Sequence, residues 1–326
     1  MTVEFEIPVV DGPVPPPRSE PAAAVFRRQV VDAFERGGSP DFSTFDPNEW
    51  IEGMDEVMNL GRLEIARYGL QQLCLYKPNL KWAQSMLQLA ESMPPEIPGA
   101  PTFADDRRSD LQVVPREGAG TVILVFCGRR NQPHMPLPMF QRWIGRLGAS
   151  VVYLRDFQDD HYLGGVASCG SVDATLERLQ RIIGQLRAEQ VLCLGNCSGG
   201  YAALRYGVAL GAERVFAFGS PINMEPEFNA YLNRAKTAQR LAAEFPDAVL
   251  DLREVYLHAD HRPETALFYG DKCWDDRIHC EHMSGLPGVR LEPVRGYSGH
   301  GVVPKLIRRE QFDDVLSSFI APAGAG

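Results

Sequence analysis

The stretch that most limits what this chain can fold into is residues 190–204, QVLCLGNCSGGYAAL. Val191 to Leu194 is continuously apolar, the pattern of a strand covered on both faces in a parallel sheet. Gly199, Gly200, Ala202 and Ala203 then open a helix slim enough to lie close on that sheet. Between the two, the chain has to turn within Gly195-Asn196-Cys197-Ser198-Gly199. A plainer reading is a buried cysteine in the glycine-rich turn of a nucleotide-binding fold. Neither G-x-G-x-x-G nor G-K-[ST] occurs to support that.

The chain around this stretch alternates strands and helices. Residues 121–128, 150–156, 214–221, 265–271 and 289–296 read as strands, with amphipathic helical segments between them. Alternation at this spacing predicts a parallel, doubly wound sheet with helices on both faces. The stretch 223–262 is mostly helical in pattern and too long for a simple connection, which predicts a cap or lid inserted after the 214–221 strand. A helix is expected to start near Asp276, and a single last helix to run through 301–320.

The N-terminal third differs. Residues 1–21 are too proline-rich for a helix or central strand and read as an extended arm. Residues 22–36 have helical spacing closed by Gly37-Gly38, and three more amphipathic helices follow, broken near Gly61 and Pro78. The piece from Leu63 to Ala90 loosely resembles a tetratricopeptide helix pair, on Ala66, Tyr76, Pro78 and Trp82. No second copy occurs at a period near 34 residues, so a packing appendage or dimerisation element is the stronger reading. A proline-rich run, MPPEIPGAPTF, marks a boundary near residue 100. The expected organisation is an arm over 1–21, a helical segment over 22–100 and an α/β domain over 101–326.

Charge and cysteine content bound the function. A net charge of −9 over 326 residues, with no basic run, argues against nucleic acid or an anionic membrane as partner. The first residues carry no basic n-region, and no apolar run approaches a membrane span. Seven cysteines, several inside strand-like runs, read as reduced thiols of a cytoplasmic protein.

The pattern Gly195-x-Cys197-x-Gly199 resembles the nucleophile elbow of α/β-hydrolases, with cysteine in the central place. An elbow strains its central residue, so the residues two before and two after must be small. Gly195 and Gly199 meet that demand around Cys197, whereas Ser198 as nucleophile would put Asn196 upstream. The resemblance covers about residues 105–322, and a central cysteine makes it similar to dienelactone-hydrolase-like members. It implies acyl chemistry without a metal or organic cofactor.

The resemblance also implies the partners of Cys197. His300, in GYSGHGVVPKL just past the last strand, stands where the family places its base. The acid should follow the strand TALFYGD, where Asp271, Asp275 and Asp276 all qualify by position, and the family's usual glycine-x-x-acid spacing lands on Cys273. Asp276, at a helix start, is preferred and Asp271 is the runner-up; an ordinary helix cap competes for Asp276. The amide of Ser198 and the amide of Arg129, in the loop FCGRRNQPHMP, are the expected oxyanion donors. Arg129 and Arg130 could equally bind an anionic substrate group or be a solvated basic pair. Asp159, Asp160, His161 and Tyr162 follow the next strand, where they could line the mouth of the site, and for them a polar surface loop is the stronger reading. Cys273, His279, Cys280 and His282 fall within ten residues, but their spacing matches no paired zinc motif.

The expected function is hydrolysis of an ester, thioester or lactone through a Cys-His-Asp triad and an acyl-cysteine. Ser198 as the nucleophile stays open, and two alternative functions stand beside hydrolysis. One is an acyltransferase or cyclase acting on carrier-protein or CoA thioesters; the other is a non-catalytic module that keeps the fold. The expected partner is a small acyl substrate, with homo-oligomerisation through the N-terminal helices as a further expectation.

Overall fold

The computed structural model describes residues 22–38, 46–97 and 103–321. The arm expected over 1–21 lies outside the described residues. Seven strands form one sheet: β1 (Leu111–Val114), β2 (Thr121–Phe126), β3 (Ser150–Leu154), β4 (Gln190–Asn196), β5 (Arg214–Phe218), β6 (Glu264–Gly270) and β7 (Val289–Val294). Their order is β1-β3-β2-β4-β5-β6-β7. β1 runs antiparallel to β3, and the remaining pairings are parallel. The mainly parallel, doubly wound sheet predicted from the alternation is therefore the one that forms, with the elbow strand at its middle. It is the α/β-hydrolase arrangement that the resemblance implied.

β4 sits between β2 and β5, with Cys193 in register with Leu124 on one side and Val215 on the other. Leu192, Cys193 and Leu194 are wholly buried because helices cover both faces there. Each such leucine contributes about 1.5–3 kcal/mol through burial. One face packs under α6 (Val172–Gln185) and α7 (Ser198–Ala209). The other packs under α5 (Leu137–Ile144), α11 (Val302–Arg308) and α12 (Phe312–Ile320).

The N-terminal helices α1 (Ala22–Glu35), α2 (Pro47–Asn59), α3 (Leu63–Tyr76) and α4 (Lys81–Glu91) join that second layer. Phe26, Trp50, Met54 and Leu70 share one apolar cluster with Ile123, Phe140 and Trp143. The breaks predicted near Gly61 and Pro78 fall between α2 and α3 and between α3 and α4. α2 starts where Asp46 accepts the Asn48 and Glu49 amides while Glu49 reaches back to the Asp46 N–H, a reciprocal cap worth about 1 kcal/mol.

Two expectations are corrected, and the helix expected to start near Asp276 forms. The stretch 223–262 carries only two short helices, α8 (Ala235–Glu244) and α9 (Leu252–His258). Its first part is irregular backbone held by the Asn223 and Asn229 side chains, whose amides and carbonyls cap that backbone locally. The last helix is two, broken at Glu310, whose φ of 59° no helix accommodates. The helix carrying Asp276, α10, runs from Trp274 to His282. Among the described residues no helix is long and apolar enough to cross a membrane.

Candidate active site

β2 leads outward to β3 on one side of the sheet while β4 leads outward to β5 on the other. The carboxyl ends of β2 and β4 therefore flank the crevice where open α/β sheets bind ligands. Cys197 sits there, between β4 and α7, with φ 52° and ψ −129°. That is a strained conformation for a residue with a β-carbon, and the surrounding packing enforces it. A β-carbon on Gly195 would strike the Gly199 carbonyl, one on Gly199 the Phe126 carbonyl, and one on Gly200 the Ser220 hydroxyl. The small residues around Cys197 are thus required by close approach of backbone. Ser198, by contrast, is buried at 1% exposure within the first turn of α7, its Oγ without a hydrogen-bond partner.

His300 and Asp276 meet beside the cysteine. His300 Nδ1 lies 2.8 Å and 3.0 Å from the two Asp276 carboxylate oxygens. Asp276 is 1% exposed, and it also accepts from Arg234 Nη2 at 3.1 Å and from the Cys273 thiol at 3.3 Å. Burial alone would raise its pKa, but His300, Arg234 and Cys273 together hold it below the usual carboxylate range. Burial would likewise lower His300, yet Asp276 and Cys197 raise it to about 9. Cys197 shows the complementary effect. Burial acts to raise its pKa, and this is outweighed by hydrogen bonding and charge from His300, the charge of Arg234 and the Ser198 amide. Burial pushes the Cys127 thiol up to about 12 and Cys273 to about 11, so Cys197 moves the opposite way. A lowered thiol beside a raised imidazole shifts the balance toward a thiolate–imidazolium pair.

Asp271 and Asp275 lie elsewhere. Asp271, at the tip of β6, accepts the Tyr297 N–H at 3.1 Å, and the Gly296 and Tyr297 amides lower its pKa. Asp275 accepts the Asn233 backbone N–H and side-chain amide, at 3.2 Å and 2.6 Å. Of the three aspartates, Asp276 is the one brought to His300.

The Ser198 amide lies in the first turn of α7, where backbone N–H groups have no intrahelical acceptor, and it acts to lower the Cys197 pKa. On the facing loop the Gly128 N–H is taken by Asn196 Oδ1 at 3.2 Å. The next amide, that of Arg129, has no protein acceptor among the described residues. The Arg129 side chain is exposed and lies 3.8 Å from Asp159.

The loop after β3 corrects the expectation of a polar surface loop. Asp160, His161 and Tyr162 are buried, at 3%, 7% and 0% exposure. The Tyr162 hydroxyl donates to the Cys127 and Leu154 carbonyls, which ties this loop to the end of β2. Asp159, His161 and Tyr162 all have positive φ, as do Asn131 and His134 on the loop after β2. Strained backbone thus gathers at the carboxyl edge around Cys197.

The four thiol and imidazole groups near α10 point to separate partners. Cys273 donates to Asp276, His279 Nδ1 accepts the Ile222 and Asn223 amides, Cys280 is buried, and His282 Nε2 meets Asp251 at 2.8 Å. Among the described residues no group of three or more such side chains is arranged to hold a metal ion.

Three residues at the site were not singled out from the sequence. Arg234, at the start of α8 in the insertion, bonds Asp276. Asn196 holds the Gly128 loop. His134 lies with its ring 5.6 Å from that of His300, edge-on. A cationic residue in a candidate lid and a polar residue inside an elbow were the only sequence signals for them.

No family model matches the chain, and no curated protein matches it in sequence. Its structure is similar to several solved ones. A fluorophosphonate-binding serine hydrolase of Staphylococcus aureus is 12% identical, with a TM-score of 0.44, over 65% of this chain and 92% of that one. An S-formylglutathione hydrolase from Agrobacterium tumefaciens is 17% identical, with a TM-score of 0.42, over 64% of this chain and 88% of that one. A capsule O-acetyltransferase of Neisseria meningitidis serogroup A is 14% identical, with a TM-score of 0.45, over 68% of this chain and 96% of that one. At these identities and TM-scores the likeness assigns no activity to this chain.

Proposed function

We propose that this protein is an acyl-group hydrolase acting on an ester, thioester or lactone, with Cys197 as nucleophile, His300 as acid and base, and Asp276 as the orienting acid. The observation that carries the reading is the pairing of a strained Cys197, φ 52° and ψ −129°, with a His300 held on both oxygens of a buried Asp276. Such strain is kept where the central side chain must be presented to a substrate.

In the reaction the Cys197 thiolate attacks the acyl carbon, forming a C–S bond and moving the carbonyl electrons onto oxygen. The Ser198 and Arg129 amides receive that oxyanion. The His300 imidazolium gives its proton to the leaving group as the bond to it breaks. Water then attacks the acyl-thioester, His300 takes the water's proton, and the thiolate leaves with the carboxylic acid as product. Asp276 keeps the His300 tautomer and orientation throughout. Arg234 helps keep Asp276 ionised despite its burial.

The test is incubation of the full chain with p-nitrophenyl esters and acyl-thioesters, with intact mass read for an acyl adduct on Cys197. An adduct that turns over with release of acid supports the reading. Absence of any adduct, with Cys197 still accessible to alkylation, opposes it.

A further inference from the structure

The loop after β2 holds a histidine to which the reaction above gives no role. His134 has a positive φ of 63°, and its Nδ1 faces Asn196 Nδ2 at 3.4 Å. Asn196 is buried one residue before Cys197, and its Oδ1 accepts the Gly128 N–H. These bonds settle the tautomer. With Oδ1 taken up by Gly128, the edge of Asn196 that meets His134 is Nδ2, which can only donate. His134 Nδ1 is therefore the acceptor, and the ring proton sits on Nε2. A protonated ring would set N–H against N–H. Burial, and then the charge of His300, lower the His134 pKa to about 4, so the ring stays neutral wherever the triad is active.

The chain His134–Asn196–Gly128 spans the crevice between the two strand ends. It fixes the loop after β2 against the end of β4, one residue before the nucleophile. Gly128 is already in close contact, since a β-carbon there would meet Asn196 and the Cys197 β-carbon. The residue that follows is Arg129, whose amide has no protein acceptor among the described residues.

We propose that His134 is a positioning residue: it orients the Asn196 carboxamide, which pins Gly128 and thereby aims the Arg129 amide at the oxyanion. This rests on the reading of Cys197 as an acylated nucleophile. It predicts a separation of two reactions at one sulfur. Acylation develops an oxyanion and needs the loop in place, whereas alkylation by iodoacetamide displaces iodide and develops none. Because His134 is neutral, removing it takes no charge from beside the thiolate.

The experiment measures both reactions at Cys197 in the full chain, by peptide mass, for wild type, His134→Leu, His134→Gln and Asn196→Leu. The acyl donor is p-nitrophenyl acetate. Loss of one oxyanion donor costs about 10²–10³ in rate, so the two leucine variants should acylate about 10²-fold more slowly, mainly in kcat. Their alkylation should remain within about twofold of wild type, since no oxyanion is involved. His134→Gln, whose Oε1 can accept from Asn196 Nδ2, should recover most of the lost acylation. Wild-type acylation in the leucine variants would overturn the proposal. So would equal loss of acylation and alkylation, which marks general damage to the site. A wild-type protein that alkylates and never acylates overturns the acyl-transfer reading itself, and the proposal with it.

Discussion

The pairing of Cys197 with His300 gives the chemistry a definite pH window. As pH rises through the lowered Cys197 pKa the thiolate forms, so both alkylation and acylation should increase at lower pH than for free cysteine, which titrates at about 8.5. Above about 9 His300 loses its proton. Acylation then loses the acid that protonates the leaving group, while alkylation of the thiolate continues. Stopped-flow rates from pH 5 to 10 should therefore give a bell for acylation and a plateau for alkylation; two superimposable curves would contradict this. Asp276→Asn removes the charge that raises His300, so the upper limb should move to lower pH. The rate should also fall by a factor on the order of 10²–10⁴, as for other orienting acids. At the same level, Gly199→Ala would drive a methyl group into the Phe126 carbonyl, in backbone that cannot yield. Overpacking of this kind costs typically 1–3 kcal/mol, and here no flexible side chain can move to absorb it. The variant should show a clear drop in Tm, or no folded protein, by differential scanning fluorimetry. A Tm equal to wild type would mean that the close approach is relaxed in solution.

Among the elements, the insertion between β5 and β6 is joined to the candidate site by charge. Asn233 bonds Asp275 and Arg234 bonds Asp276, so the start of α8 is clamped on the first turn of α10. Breaking a buried pair strands a charge and costs about 3–5 kcal/mol; Asp276 keeps His300, so Arg234→Gln should cost less than that. It should also raise the pH midpoint of Cys197 alkylation, because a positive charge that favours the thiolate is gone. Arg234→Lys should restore part of both. An unshifted midpoint in Arg234→Gln would show that the insertion does not influence the nucleophile. The elements that the sequence made legible are those with one dominant signal. β2, β4 and β5 are continuous apolar runs bounded by turns, and α2 to α4 keep three-and-four spacing with Gly61 and Pro78 at the breaks. β1 escaped notice because its four residues are all half-buried and show no alternation. The break at Glu310 escaped because a non-glycine residue takes the left-handed turn. Cys197 was legible as a candidate because the glycines its turn requires are its neighbours in sequence, and His300 because it stands where the resembled family places its base. Arg234, Asn196 and His134 were not, because each acts on a residue that only the fold brings near.

For the molecule as a whole, the N-terminal helices are packed into the same apolar layer as the sheet. Phe26, Trp50, Met54 and Leu70 are wholly or almost wholly buried in one apolar cluster that continues into the α/β part. Arg142 donates to the Pro94 carbonyl and Arg308 to the Ser85 hydroxyl, so polar contacts cross the same boundary. A chain beginning at residue 103 would expose the layer over α5 and α11. Each large side chain returned to water costs about 1.5–3 kcal/mol, so that chain should aggregate or unfold at a much lower Tm. A monodisperse, fully active product would show that the helices are dispensable. The account as a whole stands on the identity of the nucleophile, and one comparison tests it directly. Intact mass is recorded after a p-nitrophenyl ester is added to wild type, Cys197→Ala and Ser198→Ala. The account predicts an acyl adduct on wild type and on Ser198→Ala, and none on Cys197→Ala. An adduct that survives in Cys197→Ala and disappears in Ser198→Ala would contradict it.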